Sequence, residues 1–415
     1  MAGAETNWAG THTYRARIER VHSVEHLQEV VAAASRVRAL GSRHSFTDLT
    51  DITDTDDGVL VSLADLPAAV EVDPATCTAR VSGWAAYGHV GARLQEQGWA
   101  LGNLASLPHI SVAGAVATAT HGSGVRNGSL ATAVAALEVV GADGELRTVR
   151  RGDADFHGSV VSLGALGVVT SVTLDVEPTY DVRQAVYTGL TWDAVAHDLD
   201  GVLSSAHSVS LFTRWADRVE QLWVKSRDGR VPDELCGAGQ ATTTVHMLEG
   251  GDVEAVTPQR GVPGPWLDRL PHFRMGFTPS RGEELQSEYL LPRRHALEAV
   301  ERLRRLGDRL APLLQVSELR TVAADEHWLS SAYGEDVVGA HFTWVRDPER
   351  VYAVLPALEE ALLPLGARPH WGKCFVATRD RLERLYPRMG DFRALRDRVD
   401  PDRVFDNAFL QRVIG

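Results

Sequence analysis

The sequence predicts a two-domain α+β fold, on three observations. Over the first 180 residues, short β-rich runs alternate with helical patterns and are punctuated by glycine. From about Tyr180 the character changes: tryptophans accumulate, and loops rich in Gly and Pro occupy 226–282, which marks a second domain. The end of the chain, from Pro401 to Phe409, is too apolar for a free tail and must dock onto the body of the protein. At 415 residues, 44% hydrophobic and 23% charged, the chain is long enough for two full cores.

The spacing predicts a helix over 24–34. Ser23 caps it, Glu25 sits in its first turn, and Val24, Leu27, Val30, Val31 and Ala34 share one apolar face. A strand follows from Val37 to Leu40. Further strands are expected at 59–63, 69–72 and 78–82, then a helix over 87–97 that Gly98 closes. Beyond these come strands at 168–176, 208–213 and 221–225, and helical patterns at 294–314 and 351–363. No internal repeat or low-complexity stretch interrupts them.

Composition narrows the function classes. A formal net charge of −13 repels phosphate backbones and anionic lipid, so neither nucleic acid nor a membrane surface is an expected partner. Three widely spaced cysteines, Cys77, Cys236 and Cys374, argue against a disulfide framework or a Cys-based zinc site. The opening residues, Met1 to Trp8, carry neither a basic nor an apolar targeting segment, and no apolar run approaches the roughly 20 residues of a membrane span. The expected location is the cytoplasm. No metal is expected, since the sixteen histidines are scattered and form no H-E-x-x-H pair. Rossmann, P-loop and G-x-S-x-G patterns are also missing.

Three small-residue segments stand out. The strand ending at Leu40 runs into Gly41, Ser42, Arg43, His44 and Ser45, a turn suited to cradling an anion, with a nucleophilic imidazole at its centre. Taken alone, it reads more readily as a turn with a hydrogen-bonded histidine. Residues 102–124 are so dense in Gly, Ala, Ser and Thr that another backbone or a large ligand must approach them closely. Ser106, Ser111, Thr118, His121 and Ser123 add polar atoms at intervals, which favours an extended polar cofactor. Gly164 to Gly167 forms a third turn.

In the second half, 315–323 reads as a strand with Glu318 and Arg320 on one face and Leu319 on the other. Residues 340–345 repeat the device, with His341 and Thr343 opposite Phe342 and Trp344. Lys373 follows in an aromatic, glycine-containing loop. Each residue alone reads as a solvated or paired surface group. Together they suit recognition of several hydroxyls: Glu318 accepts, Arg320 and Lys373 donate to oxygen and favour a developing alkoxide, and His341 takes or relays a proton.

The Gly41–Ser45 turn, the Ser106–Gly114 segment, Thr120 to Gly124 and Gly164 to Val169 together resemble the FAD-binding domain of the vanillyl-alcohol-oxidase family. Within that family, the second-half residues extend the resemblance along essentially the whole chain to the alditol oxidases. The resemblance implies a PCMH-type FAD-binding domain over 1–179, completed by 374–415, with an α/β substrate (cap) domain at 180–373. It implies FAD held by Gly41, Ser42, Arg43, His44, Ser45, Ser106, Ser111, Gly114, Thr118, Ala119, Thr120, His121 and Val169, and attached covalently to the flavin 8α-methyl through His44. It further implies a polyol pocket of Ser106, Glu318, Arg320, Thr343 and Lys373, with His341, Arg320, Lys373 and Glu318 around the reacting group. Oxidation of a terminal primary alcohol of an alditol, with O2 reduced to H2O2 by a monomeric enzyme, is the expected activity. A sugar-lactone oxidoreductase of the same superfamily is the alternative, and a flavin-binding protein without turnover ranks last. Arg43 departs from the pattern, which leads one to expect glycine there.

Overall fold

The computed structural model describes residues 5–55, 57–227, 229–277 and 283–415. The opening residues 1–4, and residues 228 and 278–282 of the Gly- and Pro-rich loops, lie outside the described residues.

Three parallel strands begin the chain: β1 (Arg17–Arg20), β2 (Arg36–Ala39) and β3 (Gly58–Ser62), with β3 in the middle. Between β1 and β2 runs α1 (Val24–Ala33). Ser23 Oγ accepts from His26 N at 3.0 Å, and Leu27 and Val31 are buried, as the capping residue and apolar spacing require. The second sheet is antiparallel, with β4 (Val70–Asp73), β5 (Thr78–Ser82), β6 (Val134–Val140), β7 (Leu146–Arg150) and β8 (Val168–Asp175) in the order β4-β5-β8-β6-β7. Helix α2 (Tyr87–Glu96) lies between β5 and the small-residue segment, which contains the short α3 (Val112–Ala117).

The third sheet holds eight antiparallel strands: β9 (Asp181–Thr191), β10 (Ser208–Thr213), β11 (Arg218–Ser226), β12 (Pro263–Pro265), β13 (Glu284–Pro292), β14 (Leu314–Val322), β15 (Val337–Val345) and β16 (Arg368–Pro369). Their order is β12-β9-β11-β10-β14-β15-β13-β16. Period-two alternation sorts this sheet into two faces. One buries Leu211, Leu222, Leu319, Phe342 and Trp344 with Val300 and Leu303 of α4 (Ala296–Arg305) and Leu355 and Leu358 of α5 (Pro348–Leu362). The other carries Lys225, Ser210, Glu318, Arg320, His341 and Glu288, and faces the first half of the chain.

The helical pattern at 294–314 is shorter than expected. Helix α4 ends at Arg305, one further turn covers Gly307–Leu310, and Leu314 already belongs to β14. Pro312 has no N–H to give, so no helical hydrogen bond from it carries the chain past this turn towards Leu314. The mixed helix and sheet class expected from the sequence is the one observed.

The apolar C-terminus is buried. Phe409, Leu410, Val413 and Ile414 belong to one hydrophobic cluster with Val81, Leu137 and Val172 of the five-stranded sheet. Two backbone features fasten the first half to the eight-stranded sheet. Gly124 N donates to Thr321 O at 2.9 Å, and a Cβ at Gly124 would come within 2.2 Å of His207 O, so only glycine lets these chains approach.

Candidate active site

Buried Arg38, on β2, organises the histidine turn. Its guanidinium donates to Leu49 O, Leu163 O, Gly164 O and Phe405 O at 2.6 to 2.9 Å. One side chain thus ties the strand before the turn, the third glycine turn and the C-terminal segment together. Ser42 Oγ accepts from Ser111 N at 2.9 Å, joining the first turn to the second. A Cβ at Gly41 or Gly114 would lie 3.0 or 2.8 Å from Ser111 Oγ, so the glycines make room for this junction.

The three small-residue turns converge on a single cavity. Every cofactor position expected from the sequence lines it except Ala119. Ala119 has φ 53°, and this left-handed turn carries its methyl into the hydrophobic cluster while Thr118 and Thr120 line the cavity. Ser123 also departs from expectation: its Oγ donates to Val209 O and so anchors β10 rather than a ligand. His44 lines the cavity, stacked on Trp8 with ring centroids 5.5 Å apart. Its Nδ1 is buried with no hydrogen-bond partner. Burial, with His109 adding to it, pushes the ring down to about 4, so the imidazole is neutral near pH 7. Arg43 stands at φ 62°, the region that favours glycine, and its guanidinium pairs with Glu5.

The second-half residues line the same cavity: Glu318, Arg320, His341, Thr343 and Lys373 all contribute, together with Ser106. Strand register brings them together, because β14 and β15 pair with Glu318 opposite His341. Glu288 on β13, opposite His341 from the other side, was not among the expected residues, yet it is the hub. Its Oε1 accepts from Arg320 Nη2 at 2.8 Å and its Oε2 from Lys373 Nζ at 2.6 Å. His121 Nε2 lies 3.3 Å from Oε1 but is not aligned to donate. The signal that would have found Glu288 is the alternation of Glu284, Gln286 and Glu288 with Leu285 and Tyr289.

Electrostatics keep this cluster ionised. Burial alone would raise the Glu288 carboxyl, but Lys373 and Arg320 outweigh it and hold the group well below the usual carboxylate range. Arg320 likewise holds Glu318 low against burial. Burial pulls the Lys373 ammonium below its ordinary value, with Glu288 opposing. His341 is pushed well below its ordinary value by burial and by Lys373, so its ring is neutral and able to accept a proton. Lys373 Nζ lies 3.5 Å from His341 Nδ1, and Arg320 Nη1 donates to Ser106 Oγ at 3.1 Å. Arg320 Nε is buried 3.5 Å from Glu318 Oε2 without forming a hydrogen bond, which leaves it a donor for a bound oxygen.

A cavity walled by small-residue turns on one part and by a buried charge cluster on another fits a large polar cofactor with a hydroxylated substrate beside it. The orphaned His44 Nδ1 and the glycine junction at Ser111 are the features that fit FAD. An FAD-binding-domain profile matches residues 16–150, and a D-arabinono-1,4-lactone oxidase profile matches 278–413. In fold, the chain is similar to a solved cholesterol oxidase from B. sterolicum, with a TM-score of 0.82 at 14% identity, covering 99% of this chain and 96% of that one.

These features define an FAD-binding oxidoreductase. The chain is 47% identical to an alditol oxidase of Streptomyces sp. (strain IKD472 / FERM P-14339) over the full length of both. It is 32% identical to an L-gulono-1,4-lactone dehydrogenase of Mycobacterium tuberculosis, again over the whole of both chains. It is 26% identical to the L-gulonolactone oxidase of Bos taurus, over 98% of this chain and 97% of that protein. The chain belongs to the vanillyl-alcohol-oxidase family of FAD-dependent oxidoreductases, within its alditol-oxidase branch. Among the described residues, no helix is long and apolar enough to cross a membrane.

Proposed function

We propose that this protein oxidises the terminal primary alcohol of an alditol of the xylitol or sorbitol class to the aldehyde, reducing O2 to H2O2, with FAD attached through His44. The observation that carries this reading is the buried cluster of Glu288, Glu318, Arg320 and Lys373 lining the same cavity as the small-residue turns. Two carboxylates balance two cations there, so the pocket favours a neutral, hydroxyl-rich molecule over a charged one.

Arg320 and Lys373 donate to the oxygen of the reacting alcohol and stabilise the alkoxide that develops as its C–H bond breaks. Neutral His341 accepts the hydroxyl proton. Glu318, Thr343 and Ser106 hold the remaining hydroxyls and set the reach of the polyol. Bound FAD supplies the acceptor for the two electrons that leave the alcohol carbon. The Gly41–Ser45 turn and the Ser111 junction would hold its pyrophosphate, and the neutral His44 ring would bond to its 8α-carbon in place of a hydrogen, the two electrons released being taken up by the flavin ring and passed on to O2.

Residues 1–179 with 374–415 form the FAD-binding unit in this reading, and 180–373 the substrate unit. Cys77, Cys236 and Cys374 are all free, which suits work in a reducing cytoplasm. The protein works there as a monomer, and elution as a single 45.1 kDa chain tests that state.

Peroxide formation over a panel of alditols is the decisive assay, and no turnover of any alditol would sink the reading. The lactone-oxidase profile over 278–413 favours a second reading, oxidation of a sugar lactone in the same pocket. Comparing kcat/KM for aldonolactones with that for alditols separates the two. Precipitation with acid tests attachment: yellow colour kept in the pellet supports the His44 bond, and colour released to the supernatant rejects it.

A further inference from the structure

Lys225, on β11, is fully buried on the polar face of the eight-stranded sheet, and no substrate role accounts for it. Its ammonium spends its three N–H groups on Leu270 O at 2.5 Å, Pro271 O at 3.2 Å and His272 Nδ1 at 3.0 Å. Burial pulls this ammonium down to about 7; below that pH it is protonated and has no lone pair, so His272 Nδ1 is the acceptor in the last contact. The single ring proton of a neutral His272 then sits on Nε2, which donates to Glu318 Oε1 at 2.8 Å. Phe212 and Trp223 hold the ring edge-on, with centroids 5.6 and 5.1 Å away. The backbone of the same loop reaches the cavity wall, where His272 N donates to Ser106 O at 3.1 Å.

We propose that Lys225 and His272 are positioning residues for the polyol: Lys225 fixes the Nε2–H form of His272, which occupies Glu318 Oε1 and leaves Oε2 to accept from substrate hydroxyls. This inference rests on the polyol-oxidation reading. Among the described residues, the nearest groups to Glu318 Oε2 across an ion-pair distance are the Arg320 Nε at 3.5 Å and the neutral His341 ring at 3.9 Å, so its lone pairs remain for a ligand. Without Lys225, either tautomer of His272 can form, and a ring turned to present a bare nitrogen would repel Glu318. Lys225 also opposes protonation of the ring. The charged groups that face His272 are Lys225, Glu318 and Arg320, and burial together with Lys225 pushes its pKa down to about 4.

The test combines kinetics with a reading of the ring itself. In Lys225→Met, KM for the alditol is expected to rise by about tenfold or more while kcat stays within about threefold, because hydroxyl binding and not chemistry is lost. His272→Gln offers a carbonyl to Lys225 and an N–H to Glu318, so it is expected to keep KM within about threefold, whereas His272→Leu is not. Nitrogen-15 NMR of the histidine rings, with His272 assigned by its loss in His272→Gln, is expected to show pure Nε2–H in wild type between about pH 5 and 6, where Lys225 is protonated and the ring neutral, and a mixture in Lys225→Met. A wild-type ring that is Nδ1–H or protonated in that range overturns the proposal, as does His272→Leu matching His272→Gln in KM. These two results stand even where Lys225→Met fails to fold. Absence of alditol turnover by wild type counts against the substrate reading instead, and the ring tautomer then decides this inference alone.

Discussion

Glu288 Oε2 accepts from Lys373 Nζ at 2.6 Å, and this contact sets the charge balance of the site. The same carboxylate holds Arg320 through its other oxygen, so its removal would leave two buried cations facing each other. Losing one partner of a buried ion pair costs about 3 kcal/mol or more, whereas exposed pairs are worth far less. Glu288→Gln is therefore expected to lower stability by about that amount and to cut kcat/KM by about a hundredfold. Thermal unfolding and the peroxide assay on one preparation check both numbers. A variant with wild-type melting and turnover would show that Glu288 only fills space.

Arg43 gives a prediction of opposite sign. Its φ of 62° costs a non-glycine residue roughly 1 kcal/mol. Its pair with Glu5 is partly exposed on both sides, at 29% each, and such pairs return only a few tenths of a kcal/mol to about 1 kcal/mol. The strain outweighs the pair, so Arg43→Gly is expected to raise stability slightly, by less than about 1 kcal/mol, with the flavin still bound. Calorimetry of the two proteins side by side provides the check, and a lower midpoint for the glycine variant would mean that Glu5 matters more than the backbone.

Why Glu318 and Arg320 are legible in the sequence and Glu288 is not follows from what a strand encodes. Alternation along 315–323 separates Glu318 and Arg320 from Leu319 without reference to any other segment. Glu288 gains its importance only because β13 pairs with β15, a neighbour some fifty residues away in the chain, and register between distant strands leaves no local mark. The same limit hid Lys225 and His272, whose contact joins a strand to a loop across the Gly- and Pro-rich region. Ala119 and Ser123, whose side chains point away from the cavity, differ for another reason. A dense run of small residues announces a close approach but not which side chain faces the ligand, and a single left-handed residue at 119 decides that. The glycine turns themselves were legible because their function is carried by backbone, which residue identity reports directly.

Acid should destabilise this fold through its buried neutral histidines. Burial pushes His207, His272 and His327 each down to about 4. In the unfolded chain the same rings take up a proton below about pH 6.5. Between these values the unfolded state binds more protons than the folded one, so the stability present above about pH 6.5 is lost as pH falls through about 4. The melting temperature is expected to drop across that window, and less steeply in His327→Asn, which removes one of the three rings far from the charge cluster. A flat profile over the window would place the protons elsewhere.

His44 is the residue on which the cofactor reading turns. Its ring is held by Trp8, kept neutral by burial, and left with an unpartnered Nδ1 in the cavity wall. Those properties make it a nucleophile at neutral pH rather than a charge partner for phosphate. His44→Ala is expected to bind FAD without the bond, so that acid releases the colour into solution. A nitrogen substituent on the ring methyl withdraws electron density, so the variant's flavin is also expected to have the lower reduction potential, and with it slower alcohol oxidation. Redox titration of both proteins separates the two roles of the bond. A potential unchanged by the substitution would leave His44 as an anchor alone, and a variant that still carries its flavin through acid precipitation would move the attachment to another residue.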